Sequence, residues 1–151
     1  YAALLHDMGK VRVPSSVLNK PDRLTDEEFA LIKRHPDDGA SLVAGIPYFA
    51  DLSDLVAAHH EAFDGSGYAR GLAGSDIPLL ARVLAAADAY DAMTSERSYR
   101  KAMTEAEAKS ELRRCSGTQF DPAVIAAWLG RDVAMAESVL PAADVVSAVV
   151  E

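Results

Sequence analysis

Leu79-Leu80-Ala81-Arg82-Val83-Leu84-Ala85-Ala86-Ala87-Asp88-Ala89-Tyr90-Asp91-Ala92-Met93 is dominated by alanine and leucine, the strongest apolar helix formers. Pro78 precedes it, at a point where a missing backbone donor costs little. The segment therefore predicts one long, deeply packed helix. Asp88 and Asp91 lie three apart and share a face of it. Asp88, with small apolar neighbours, is expected to face the interior, where a lone carboxylate carries a heavy desolvation cost.

Upstream, Asp64-Gly65-Ser66-Gly67-Tyr68-Ala69-Arg70-Gly71 is too rich in glycine for a helix and reads as a surface loop. Before it, Leu52, Leu55, Val56 and His59 recur at the helical period, which predicts a helix over 51–60. Thr25-Asp26-Glu27-Glu28 has capping-box spacing and predicts a helix running to about Arg34. Pro36 disfavours helical geometry at His35, so that imidazole is expected where the helix stops.

Downstream, Thr104-Glu105-Ala106-Glu107 repeats the capping box ahead of a charged helix ending near Cys115, and Asp121-Pro122 opens another through Trp128. Tyr1-Ala2-Ala3-Leu4-Leu5 looks helical with no cap ahead of it, and Tyr1 reads as a position inside a helix. The tail from Asp132 carries alanine and valine broken by Pro141 and fits short helices. Strand signals are nearly absent, so the fold class is all-α.

A length of 151 residues suits one domain rather than two. With 23 acidic against 15 basic residues the net charge is -8, a repulsive field for duplex nucleic acid. The single cysteine, Cys115, forms no internal disulfide and offers no thiolate cluster, which fits a cytoplasmic setting and leaves any metal to nitrogen and oxygen ligands. No apolar run reaches the roughly 20 residues of a membrane span.

The four histidines are His6, His35, His59 and His60. His6 precedes Asp7, His59-His60 precedes Glu61, and each could separately be a core or helix-end histidine. Four such coincidences together argue for one shared site. With Asp88 and Asp91 they supply the donors of a nitrogen and carboxylate metal cage, in which a divalent cation offsets the burial of charge.

His6-Asp7-Met8-Gly9-Lys10 resembles the signature of the HD superfamily of metal-dependent phosphohydrolases. Asn19-Lys20-Pro21, Arg34-His35-Pro36, His59-His60-Glu61, Asp64-Gly65-Ser66-Gly67-Tyr68, Asp88 through Arg100 and Gly117-Thr118-Gln119-Phe120-Asp121-Pro122 extend the likeness to the HD-GYP domain of bacterial cyclic di-GMP phosphodiesterases. The resemblance implies an all-α, HD-type helical bundle over 1–130, lacking its N-terminal helices, followed by a C-terminal helical tail over 131–151. It also implies a centre of two, in some members three, divalent ions. Asp7 would bridge two of them, His35, His59 and His60 would complete one, and His6 with Asp88 would serve the other. Lys10 would lie by the scissile phosphate with Asp7 as catalytic residue, and Gly67, Tyr68, Arg97 and Arg100 would meet substrate.

Histidine and carboxylate ligands without thiolate favour iron or manganese, with zinc, nickel and cobalt also compatible. The implied activity is hydrolysis of cyclic di-GMP to pGpG and onward to GMP, under an upstream sensory domain and with cyclase-type protein partners. Two departures bear on this. Ala69 stands where the family has proline, which is expected to loosen the loop. The family's helices ahead of the HD pair supply a further histidine, and in trinuclear members a glutamate, and this sequence begins after them. The competing readings are a scaffold that binds a signalling partner without turnover, and a hydrolase of another cyclic dinucleotide or a mononucleotide.

Overall fold

The computed structural model describes residues 1–96 and 101–130, and these are helical with no strand among them. The helices in chain order are α1 (Ala2–Leu5), α2 (Ser15–Leu18), α3 (Asp26–Ile32), α4 (His35–Ala44), α5 (Ser53–Ala57), α6 (Leu79–Thr94), α7 (Glu105–Arg114) and α8 (Pro122–Leu129). Short 3-10 turns cover Met8–Arg12, Pro47–Leu52 and Gly74–Asp76. Among the described residues no helix is long and apolar enough to cross a membrane. The expected tail over 131–151 lies outside the described residues, as do Arg97 and Arg100.

Local chemistry sets the boundaries. At α3 the Thr25 hydroxyl accepts from the Glu28 amide and the Glu28 carboxylate accepts from the Thr25 amide, so both orphan donors of the first turn are satisfied. Thr104 and Glu107 do the same for α7, and the Asp121 carboxylate accepts from Ala123 N–H at the start of α8. The long helix expected behind Pro78 is present as α6.

Two boundaries differ from expectation. His35 does not end a helix; it opens α4, with Pro36 in the first turn where no backbone donor is required. The predicted helix over 51–60 divides into the Pro47–Leu52 turn and α5, with Ala58 to His60 in turn geometry.

The core is built in adjoining patches. Ala40 and Val43 of α4 meet Val56 and Ala57 of α5, while Leu55 and Ala58 pack on Ile77, Ala81 and Leu84 of the α6 region. Farther along α6, Ala86, Ala89 and Met93 join Leu112, Phe120 and Ile125. A fourth patch holds Val13, Val17 and Ile32, with Tyr68 against it.

The Met8–Arg12 turn lies directly on α4. A Cβ added to Gly9 would fall 1.9 Å from His35 O and 2.5 Å from Gly39 N, so only glycine permits this backbone-to-backbone approach. That approach brings His6 and Asp7 over the first turn of α4. The Gly117 to Asp121 turn steadies the other side, where Phe63 N–H donates to Gln119 O at 3.1 Å and Asp64 N–H to Thr118 O at 2.8 Å.

Candidate metal centre

Three of the four histidines are held by the same device. His6 Nδ1 lies 2.8 Å from Ala3 O, His35 Nδ1 2.9 Å from Ile32 O, and His59 Nδ1 2.6 Å from Val56 O, each carbonyl being three residues upstream. A carbonyl only accepts, so each ring carries a proton on Nδ1 and, when neutral, turns a bare Nε2 away from its own backbone. This is the arrangement that orients a metal-ligating imidazole.

The bare nitrogens converge. His35 Nε2 and His59 Nε2 stand 3.2 Å apart, both rings buried at 1% and 2% exposure. With both rings neutral, two lone pairs face each other in a desolvated space. Asp7 Oδ1 lies 3.3 Å from His35 Nε2, and Asp7 Oδ1 and His60 Nε2 are buried atoms without a hydrogen-bond partner among the described residues. One ligand atom from each of Asp7, His35, His59 and His60 falls within 4.8 Å of the others. An electron-rich cluster of this kind fits a divalent cation, which accepts from every one of these atoms at once.

Asp7 has two oxygens and uses them in two directions. Oδ1 faces His35, while Oδ2 is 3.5 Å from His6 Nε2 and 2.9 Å from Lys10 Nζ. His6 Nε2 in turn lies 3.6 Å from Asp88 Oδ1. A second donor group, His6 with Asp88, therefore adjoins the first through one carboxylate. Asp91, three residues on, is exposed and takes no part, because the face it shares with Asp88 turns out of the bundle there.

Electrostatics follow the geometry. Burial pushes Asp7 upward, yet the adjacent His35 imidazole and the Lys10 ammonium outweigh it and hold the carboxyl far below the usual range. Burial presses His59 down to about 4 and His60 lower still, so both present neutral nitrogens at neutral pH. At the other end, burial opposes protonation of His6, but its bond to Asp88 and the charge of Asp7 leave it raised above 6.5.

The loop from Asp64 to Gly71 closes over this cluster. The Tyr68 ring stacks on His60 with centroids 4.8 Å apart and 28° between planes, and its hydroxyl is buried without a partner among the described residues. Burial, then the charges of Asp7 and Asp88, drive the phenol upward and keep it protonated. Gly67 fits because a Cβ there would sit 2.2 Å from Ala62 N and 2.6 Å from His60 O. The cleft beside the cluster is lined by His59, His60, Gly67, Tyr68, Asp88 and Gln119.

Ala69 does not leave the loop loose. It adopts φ of 106°, which a proline ring cannot, and the chain beyond it is tied down: Arg70 N–H donates to Glu61 Oε1 at 2.6 Å and the Arg70 guanidinium to Asp54 at 2.9 Å. In the sequence Glu61 stands out only as the acid after the paired histidines and Arg70 only as a member of the loop, and their pairing is not legible there. The available signal was an acid next to paired histidines, followed by a loop that needs an anchor.

The chain is similar to known proteins over most of its length. The HD domain family matches residues 1–124. A cyclic di-GMP phosphodiesterase of Pseudomonas aeruginosa is 46% identical over 129 residues, covering 85% of this chain and 31% of the relative. A cyclic di-GMP phosphodiesterase response regulator of Xanthomonas campestris is 47% identical over 130 residues, 85% of this chain and 34% of that protein. A 3'3'-cGAMP-specific phosphodiesterase of Vibrio cholerae is 36% identical over 126 residues, 82% of this chain and 24% of the relative. The chain thus spans about a third or less of the length of these relatives. With the family's extent matched across both donor sets and the loop that covers them, the chain belongs to the HD domain family, within its HD-GYP group.

Proposed function

We propose that this chain is the hydrolytic part of a cyclic dinucleotide phosphodiesterase, cleaving cyclic di-GMP to pGpG and onward to GMP. The observation that carries the reading is the pair of bare Nε2 atoms of His35 and His59 facing each other beside Asp7. It is supported by relatives whose names specify cyclic di-GMP or cGAMP as substrate.

A phosphodiester resists water because its charge repels nucleophiles and its alkoxide is a poor leaving group. Two divalent cations, manganese or iron before zinc, nickel or cobalt, would lower the pKa of water toward neutrality and lend Lewis-acid stabilisation to the phosphate charge. His35, His59 and His60 would hold one cation, His6 and Asp88 the other, with Asp7 between them. A third ion would need donors beyond these.

The protein's own groups do the rest. Lys10, which now donates to Asp7, keeps an ammonium at the edge of the cluster, where it can offset charge building on the phosphate. Tyr68 shields the His60 side from water and holds a protonated hydroxyl toward the acidic groups. Gly67 lets the loop lie flat against the backbone of His60 and Ala62. Arg97 and Arg100 are assigned to the second phosphate or a guanine edge on the family pattern. We assign the domain to the cytoplasm, downstream of a sensory region and in contact with cyclase-type partners.

The test is metal analysis plus turnover. A complete protein carrying this domain, loaded with manganese or iron, should release pGpG from cyclic di-GMP, and chelation should stop it. A metal-loaded protein that leaves cyclic di-GMP intact but opens 3'3'-cGAMP would move the substrate to the relatives of that name. One that cleaves neither would remove the assignment.

A further inference from the structure

Glu61 is 3% exposed, follows two of the candidate ligands directly, and has no role in the chemistry above. Its Oε1 accepts the Arg70 amide at 2.6 Å, and its Oε2 is buried without a partner among the described residues. A carboxylate in that position cannot be explained as a solvated charge. Its single bond reaches across nine residues and closes the loop that carries Tyr68 into a ring.

The ring is pinned at three places. Glu61 takes Arg70 N–H, His60 O takes Tyr68 N–H at 3.2 Å, and Gly67 lies against His60 O and Ala62 N. Between these points Tyr68 has little freedom, since one side of it packs on the Val13, Val17 and Ile32 patch and its ring lies over His60. Among the described residues His60, unlike His6, His35 and His59, has no carbonyl at its Nδ1 to fix its plane. Ring contacts orient that imidazole instead: the His59 and His35 rings lie with centroids 4.0 and 4.9 Å away, and the Tyr68 phenol is the one stacked on it.

We infer that Glu61 is a positioning residue: by clamping the Arg70 amide it holds Tyr68 flat on His60 and so fixes the direction of His60 Nε2. The inference rests on reading the cluster as a metal centre, and it assigns His60 an orienting partner of a different kind from the carbonyls that serve the other three rings. Partners behind a ligand commonly matter for metal affinity by about 10- to 100-fold.

Imidazole-detected NMR of the full, metal-free chain tests it without needing catalysis. The stacked Tyr68 ring shields the His60 ring protons. In Glu61→Ala those protons should move downfield while the His6 protons, held by Ala3 O, stay in place. Glu61→Gln keeps an oxygen acceptor for Arg70 N–H and should retain the wild-type His60 position. Gly67→Ala, which leaves the carboxylate untouched but drives the loop off the 60–62 backbone, should reproduce the Glu61→Ala shift; it decides the matter if Glu61→Ala does not fold.

Mn²⁺ titration of the same variants should show affinity lowered about 10- to 100-fold in Glu61→Ala and restored in Glu61→Gln. The inference is overturned if His60 keeps its wild-type shift in Glu61→Ala and Gly67→Ala, or if Glu61→Gln and Glu61→Ala move it equally. A displaced His60 in a chain whose wild type turns over no cyclic dinucleotide would support the clamp and defeat only the proposed substrate.

Discussion

At the scale of single residues, the most informative contact is a repulsive one. His35 and His59 each donate Nδ1–H to a carbonyl of their own chain, which leaves two acceptors 3.2 Å apart with no proton between them in the neutral pair. Folding tolerates this because the rings are fixed by packing, and a cation turns the repulsion into coordination. Mn²⁺ should therefore stabilise the folded chain, by about 2.7 kcal/mol at a free concentration near 100 times its Kd. His59→Ala should abolish most of that gain, read as the Mn²⁺-dependent rise in Tm by scanning calorimetry. An undiminished rise would put the cation at some other group.

None of that convergence was visible as distance in the sequence. What was visible was residue type and motif: His6-Asp7, His35, His59-His60 and Asp88 were all named, and the structure brings all six together. Asp91 was grouped with them on helical spacing alone and proves exposed, because a shared helix face does not decide which part of the face a neighbouring element covers. Glu61 was visible only as the acid after the paired histidines; its bond to a backbone amide is something no side-chain pattern reports.

At the scale of elements, the helices with local signals were legible and those set by tertiary packing were not. The capping boxes at Thr25 and Thr104 and the Asp121-Pro122 start are encoded within four residues, so α3, α7 and α8 follow from sequence. The division of 47–57 into a 3-10 turn and α5 depends on how α4 packs against both, information that lies elsewhere in the chain. The glycine contact between the Met8–Arg12 turn and α4 is of the same kind. Gly9→Ala places a methyl group inside two backbones and should cost roughly 3 kcal/mol, the upper end of overpacking effects, by urea denaturation. Gly39→Ala, whose nearest contacts are 3.1 Å, should cost clearly less. Equal losses would mean that the approach at Gly9 is not the tight one.

A second element-level tie joins α6 to the start of α8. Arg82 donates through Nε to Ile77 O at 2.9 Å and through its terminal nitrogen to Asp121, which also caps α8. Asp121→Ala strands the Arg82 guanidinium and removes the cap, so a loss of about 3–5 kcal/mol is expected. Adding Arg82→Met to that variant should recover part of the loss, because the stranded charge is gone. Urea midpoints for the single and double variants check this, and a double variant less stable than Asp121→Ala would show that Arg82 contributes mainly by packing.

For the whole molecule the consequence is a pH dependence with a defined sign. Burial lowers His59 to about 4 and His60 further, while their unfolded values lie near 6.5, so in that interval the unfolded chain binds protons that the folded one refuses. Their contribution to stability is complete above pH 6.5 and is lost as pH falls toward the folded values. Each histidine can supply a slope of up to about 1.4 kcal/mol per pH unit. His6 works the other way, its raised value favouring the folded state at low pH, but its window lies above 6.5 and leaves the acid side to the buried pair. Asp7 enters only below the ordinary carboxylate range. The metal-free chain, kept in chelator, should therefore lose Tm steadily from pH 6.5 to about 5. His60→Ala should flatten that loss, and Mn²⁺ should steepen it, since the same nitrogens must release protons to bind the cation. A metal-free Tm that stays level across the interval would mean that the two imidazoles accept protons in place, and the cluster would then be a solvated group of histidines rather than a dry cation site.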